Sequence, residues 1–280
     1  MVGIVIVNYN GEQFQNECIA SLLESVYKDF KIIIVDNGST DNSMQKLSDF
    51  KTDKIVTIYN KENLGVASGN NIGIKESISL GCEYTLLLNN DTVVEPDFLL
   101  KLIETKKDIV SPKINFYIDK NKIWFYGGKF KKFKGTVKHF SYGKEKEKKI
   151  SKCKYAPTCC LLIKNSIFDK IGLFDERYFL YYDDVDFCYR LMKNKINIWL
   201  CNNSVIYHKV SMSSGGTASP MSVYYNNRNR LFFIKKMKIN FIAYLYSLIT
   251  RKIIIFLKKD KWVKQALIDY KNGVTGRYDH

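Results

Sequence analysis

Four short apolar runs, each ending in a polar cluster, constrain this chain more than any other feature. Residues 2–8 read Val-Gly-Ile-Val-Ile-Val-Asn, residues 31–35 Lys-Ile-Ile-Ile-Val, residues 54–59 Lys-Ile-Val-Thr-Ile-Tyr and residues 84–88 Tyr-Thr-Leu-Leu-Leu. Runs of this length with no polar alternation are strands buried on both faces, the condition of a parallel sheet. Helical patterns lie between them. Phe14, Cys18, Leu22 and Val26 recur every four residues, and Asn63-Leu64-Gly65 introduces a helix over 67–80. This alternation predicts an α/β fold with right-handed parallel crossovers. Such sheets bind ligands beyond the carboxyl ends of their strands. The polar clusters stand at those ends: residues 8–10, 36–41 and 89–91.

Pro96 then opens a helix over 97–105. Residues 113–150 read as strands and hairpins, with turns at Gly127, Gly128 and Gly135 and a lysine-rich tip at 144–149. A strand over 155–163, a helix over 187–193 and a strand over 200–208 follow. Beyond the Ser- and Gly-rich residues 211–219 the character changes, and 224–238 and 241–259 are helical, aromatic and basic. The expected organisation is a catalytic unit over 1–215 and a basic aromatic helical extension over 216–280.

With 46% hydrophobic residues and only 4 prolines in 280, the chain is globular, not disordered. Lys and Arg exceed Asp and Glu by 44 to 28, a net charge of +16 that calls for an anionic partner. The excess gathers at 129–154 and 235–264, whereas the acids sit in short motifs. A nucleic-acid binder would not normally concentrate its acids, so nucleic acid is not the expected partner. The seven cysteines include no C-x-x-C pair and stand among apolar neighbours, which predicts buried free thiols in a reducing compartment and no structural zinc. Met1 leads straight into a strand, so no leader is expected, and the sequons at Asn37 and Asn202 then carry no weight. No apolar stretch is long enough to cross a bilayer.

Three places carry candidate chemistry. Asp91, delivered by the apolar strand before Asn89-Asn90, either caps a turn toward Pro96 or holds a divalent metal against a diphosphate. Asp183, Asp184 and Asp186 follow the aromatic lead-in Phe179-Leu180-Tyr181-Tyr182. Acids at a helix start are stabilised by its dipole. Three in four residues also raise one another's pKa, which can supply a general base. His208, before the Ser/Gly segment, is a packed residue or a further metal ligand.

Taken in order, residues 6–10, 35–41, Asn63-Leu64-Gly65 with Gly69-Asn70-Asn71, Asn89-Asn90-Asp91, residues 172–176 and residues 183–186 resemble the family 2 glycosyltransferases with the GT-A fold. The likeness is to the rhamnosyltransferase-like branch of bacterial cell-surface glycan synthesis. Tyr225-Asn226-Asn227-Arg228-Asn229 is similar to that branch's segment before its C-terminal helices.

The resemblance implies an inverting transferase that moves a sugar from a nucleoside-diphosphate sugar to an acceptor hydroxyl, with Mg²⁺ or Mn²⁺ as cofactor. Asn8, Asn10, Asp36, Asn63, Gly65, Asn70, Asn89 and Asn90 would bind the nucleotide sugar. Asp91 would match the last aspartate of the family's Asp-x-Asp metal motif, whose first position is here Asn89, and His208 would be a further metal ligand. Asp184 would be the catalytic base, with Asp183, Asp186 and Asp175 in support or at the acceptor. The branch points to dTDP-rhamnose as donor, then UDP-hexoses, and to a glycan or lipid-linked acceptor.

Residues 241–259 are apolar but carry Arg251-Lys252 midway, the pattern of a helix lying on an anionic membrane surface or packed on the protein. A cytoplasmic protein, peripheral at the inner face of the cell membrane, is expected. The competing readings are a non-catalytic nucleotide- or glycan-binding homologue, suggested by Asn89, and a nucleic-acid-binding protein.

Overall fold

The computed structural model describes residues 1–140, 149–210, 219–239 and 241–278. It opens with β1 (Val2–Asn8), α1 (Gln15–Leu23), β2 (Phe30–Asp36), β3 (Ile55–Tyr59), α2 (Gly65–Ser79) and β4 (Tyr84–Leu88). These four strands are mutually parallel, in the order β3-β2-β1-β4. Ile4, Val5 and Ile6 of β1 and Ile32, Ile33, Ile34 and Val35 of β2 have no exposed surface. Strands buried on both faces need helices on both faces, and α2 covers one. It approaches closely because a side chain at Gly73 would run into Val5.

The second half of the sheet is mixed. β5 (Thr92–Val94), α3 (Phe98–Glu104), β6 (Ile109–Phe116) and β7 (Ile123–Phe125) precede a small hairpin of β8 (Gly128–Lys131) and β9 (Thr136–His139). Then come β10 (Ile150–Cys153), β11 (Cys160–Lys164), α4 (Ser166–Ile171), α5 (Asp183–Lys193) and β12 (Ile198–His208). β11 runs antiparallel between β4 and β6, β6 lies parallel to β12, and β10 closes the edge antiparallel to β12. β5 pairs antiparallel with the end of β12, setting Thr92 opposite His208.

The chain ends in α6 (Pro220–Lys236), α7 (Phe241–Lys258) and α8 (Lys261–Lys271). α6 adds Phe233 and Ile234 to the main core, and Tyr224 and Tyr225 form a second cluster with Ala266 of α8. α7 is turned apolar side out: it buries Ala243, Ser247 and Arg251, while Phe241 is 73% and Phe256 82% exposed. No helix among the described residues is long and apolar enough to cross a membrane.

Several elements depart from the sequence expectation, β5 and α4 among them, and three bear on the site or the helical end. α1 stops at Leu23, because the Val26 amide turns away to donate to the Pro96 carbonyl (2.8 Å), which leaves Val26 56% exposed. α5 begins at Asp183, four residues before its predicted start, so the acids occupy its first turn. α8 was not expected; its signal is Asp260, whose side chain accepts from the Trp262 and Val263 amides. All seven cysteines are buried and free, as expected. The tip at 144–149, apart from Lys149, and the segment 211–219, apart from Ser219, lie outside the described residues.

Candidate active site

The parallel register of β1 and β2 pairs Asn8 with Asp36 at the carboxyl edge. Asn8 is fully buried, and its Nδ2 faces Asp36 Oδ1 (3.2 Å), Ser39 Oγ (3.1 Å) and Ser43 Oγ (2.9 Å). Its Oδ1 accepts from Asn90 Nδ2 (3.1 Å) beyond β4. Asn10, at φ 51°, accepts the Thr40 amide on Oδ1 (2.8 Å) and donates its own amide to Ser39 Oγ (2.9 Å). Four expected residues, Asn8, Asn10, Asp36 and Asn90, thus share one polar lattice. Asn63 accepts the Gly65 amide at the start of α2 (2.9 Å), and the Gly65 carbonyl accepts from Asn37 Nδ2 (3.0 Å), which joins this turn to the lattice. Asn70 is buried on α2 without a direct bond to the lattice residues. Its neighbour Asn71, not expected to act, holds the Phe174 backbone through both amide atoms.

Asn89 is half-buried just before the tightly buried Asp91. His208, 7% exposed, points Nε2 at Asp91 Oδ1, 3.1 Å away. Burial works against a charged imidazole here, but Cys159 and Asp91 beside it raise His208 to about 10. The Lys209 amide donates to the Asp91 carbonyl (2.9 Å), which fixes the crossing of the two segments.

Asp184, on the first turn of α5, accepts the Val185 amide on Oδ1 (2.7 Å) and the Tyr155 hydroxyl on Oδ2. The lead-in is strained: Tyr181 and Tyr182 both take the left-handed conformation, at φ 63° and 72°. Contacts from distant elements hold it there. Asn229 of α6 donates to the carbonyls of Leu180 (2.9 Å) and Tyr181 (3.0 Å), and Tyr182 donates to the Gly135 carbonyl (3.0 Å). The Phe179 carbonyl accepts the Val66 amide (2.8 Å). At Gly65, already at φ 85°, a Cβ would lie 2.5 Å from that carbonyl, so only glycine fits.

Asp186 and Asp175 belong to a separate cluster. Asp186 is fully buried, bonded to Arg190 (2.8 Å) and to Lys236 of α6. Lys236 also reaches Asp175 (2.7 Å), which accepts from Nε and Nη2 of Arg177. Burial opposes ionisation of Asp175, yet Arg177 and Lys236 hold its carboxyl well below the usual range. Both acids are fully engaged in joining α5, α6 and the preceding loop.

An aromatic wall connects the Asp91–His208 pair to Asp184. His208 meets Trp124 edge-on (centroids 4.7 Å apart), Trp124 meets His139 (5.5 Å), and His139 stacks on Tyr155 (5.2 Å, 26°), which bonds Asp184. Sequence reasoning missed Trp124, His139 and Tyr155; only Trp124 had a cue, the aromatic run Trp124-Phe125-Tyr126 ahead of Gly127-Gly128. Among the described residues no group of three His, Cys, Asp or Glu side chains is gathered for a metal. The Asp91–His208 pair nevertheless fits part of such a site. As it stands their 3.1 Å contact is an ion pair, and a metal held by the same two groups would take the place of the imidazole proton.

Comparison with known proteins identifies the family and the fold. The model of glycosyl transferase family 2 matches residues 3–172. The chain is 28% identical over 291 residues to the low-salt glycan biosynthesis hexosyltransferase Agl10 of Haloferax volcanii, covering 99% of this chain and 92% of that protein. It is 25% identical to the dTDP-rhamnosyl transferase RfbF of Shigella flexneri, covering 97% and 95%. Among solved structures, S. aureus TarS with UDP-GlcNAc shares the fold at a TM-score of 0.62 and 16% identity, over 98% of this chain and 81% of that one. GalNAc-T7 with UDP, GalNAc and Mn²⁺ does so at 0.69 and 12%, over 84% of this chain, which spans about half of that protein (47%). The architecture is the GT-A fold.

Proposed function

This chain belongs to glycosyl transferase family 2 and is a glycosyltransferase, and from that premise we propose that it moves a sugar from a nucleoside-diphosphate sugar to a hydroxyl of a glycan or lipid-linked acceptor, with inversion. The observation that carries this reading is the aromatic wall running from Asp91–His208 to Asp184, with the lattice of Asn8, Asp36 and Asn90 at the same sheet edge. The lattice binds the nucleoside, Asp36 accepting from base or ribose, while Asn63, Gly65, Asn70 and Asn89 shape its pocket. Asp184 takes the proton of the acceptor hydroxyl as that oxygen attacks the anomeric carbon. The anomeric carbon–oxygen bond breaks, and its electron pair leaves with the diphosphate.

Asp91 and His208 would hold a divalent cation, which when bound neutralises charge on the diphosphate. A carboxylate with an imidazole suits Mn²⁺ better than Mg²⁺. Asp183 supports Asp184, and Asp175 and Asp186 hold the loop on which it stands. RfbF suggests dTDP-rhamnose as the donor, with UDP-hexoses next, and both curated relatives suggest a role in glycan synthesis. The outward apolar face of α7, which has no acidic residue and exposes Lys252 and Lys258, supports peripheral attachment to the anionic inner face of the membrane.

The test is release of nucleoside diphosphate from a panel of UDP-, dTDP- and GDP-sugars with Mn²⁺ or Mg²⁺. Slow turnover of one donor, lost on chelation and in Asp91→Ala, is expected. A panel with neither turnover nor nucleotide binding would sink the reading.

A further inference from the structure

Asp183 and Asp184 are adjacent carboxylates on one helical turn, and their surroundings differ in exposure, Asp184 being half-buried and Asp183 buried, and in hydrogen-bond donors. Asp184 has a donor on each oxygen, the Val185 amide and the Tyr155 hydroxyl. Asp183 is 4% exposed, and its Oδ2 is buried with no hydrogen-bond partner. A carboxylate met by two donors is easier to ionise than a buried one with an orphaned oxygen. We infer that Tyr155 is the positioning residue of the reaction: its hydroxyl orients Asp184 and makes it, and not Asp183, the ionised member of the pair. The inference rests on reading Asp184 as the base and goes beyond it by naming what selects that carboxylate.

Tyr155 is built into this place. Its ring is 3% exposed, stacked on His139 and met edge-on by Phe125 and Phe130. Its amide donates to the Gly128 carbonyl (3.2 Å), and a Cβ at Gly128 would lie 2.7 Å from the Tyr155 ring. Gly128, read from the sequence as part of a turn, therefore also leaves room for the ring that reaches Asp184. Burial and the Asp184 carboxylate push the Tyr155 hydroxyl well above its usual range, so it stays a donor at any working pH.

The other titratable groups around Asp184 do not replace this contact. Asp183 is raised to about 8 by burial and by Asp184 itself, and burial also raises Asp184, against which Tyr155 acts. Cys188 on the same helix and Tyr182 at its start are pushed up by burial, and His139 behind Tyr155 is pushed down by it. All three are uncharged at neutral pH. Asp186 faces away to Arg190 and Lys236.

The experiment compares pH profiles of kcat and kcat/KM for the wild type, Tyr155→Phe, and protein with 3,5-difluorotyrosine at position 155. The donor is dTDP-rhamnose, or the UDP-hexose turned over in its place, with Mn²⁺ saturating. Removing the hydroxyl should lower kcat at pH 7 about tenfold with little change in donor KM, and move the acid limb up by about one pH unit. Difluorotyrosine, a stronger donor of nearly the same shape, should move that limb down. Opposite displacements of this kind cannot come from a packing defect, and the fluorinated protein keeps the test alive should the Phe variant fold poorly. Acid limbs that coincide in the folded proteins would overturn the role of Tyr155. Asp184→Asn separates the two readings: an inactive Asp184→Asn with coincident limbs removes only the Tyr155 inference, whereas an active one removes the base and this inference together.

Discussion

Asn8 meets Asp36 because two parallel strands end in register, and Asn90 because the next strand ends beside them. Asp184, by contrast, is held by Tyr155, 29 residues away, and its lead-in by Asn229, which reaches back 49 residues to Leu180. The first region follows from sheet topology, and its buried amide has several partners at once. The second is made of single contacts from separate elements, around a backbone strained at Tyr181 and Tyr182. A donor pocket of the first kind tolerates change by sharing load; a base of the second kind has few substitutes for any contact.

The widest separation of the two regions should come from Asp184→Asn. Loss of a general base costs between a hundredfold and ten-thousandfold, so kcat should fall about 10³-fold while donor affinity by calorimetry stays within about twofold. Donor affinity falling in step would show that the two regions are not independent. Next in size is Lys236→Met, which strips one partner from buried Asp186 and from Asp175. Breaking a buried ion pair costs 3–5 kcal/mol. The low end, about 3 kcal/mol in urea unfolding, is expected because Arg190 and Arg177 remain bonded. The smallest effect is a pH dependence. Asp183 is raised to about 8 in the folded chain, so the fold favours its protonated form. Its contribution to stability is complete below the ordinary value of 3.8 and is lost as pH rises through about 8. Urea midpoints between pH 5 and pH 8.5 should fall more for the wild type than for Asp183→Asn; parallel curves would place no proton on Asp183.

The same contrast decides what the sequence could reveal. β1, β2 and β4 are legible because burial on both faces writes itself as Val, Ile and Leu without alternation, and the sheet's geometry puts Asn8, Asp36 and Asp91 at one edge. His208 is legible as the end of a strand, though its meeting with Asp91 needs β5 to pair with β12. Tyr155 is not legible, because nothing within ten residues of it marks a partner in α5; the contact exists only once β8 has folded against the chain after β10. The acids at 183–186 stand out in sequence as one cluster. The structure divides them, Asp184 toward Tyr155 and Asp186 toward Arg190 and Lys236, because residues two apart on a helix point to different faces.

Lys236 closes α6 onto the helix that carries Asp184, which bears on how this chain can be taken apart or recombined. A fragment ending near residue 215, or a chimera that takes its last helices from another transferase, would leave Asp186 without that counter-ion and the Leu180 and Tyr181 carbonyls without Asn229. Grafting in search of new acceptor preferences should therefore keep α6 with the catalytic unit. Polar replacement of Phe241, Phe256 and Leu257 on the outward side of α7 would then test attachment without loosening the base.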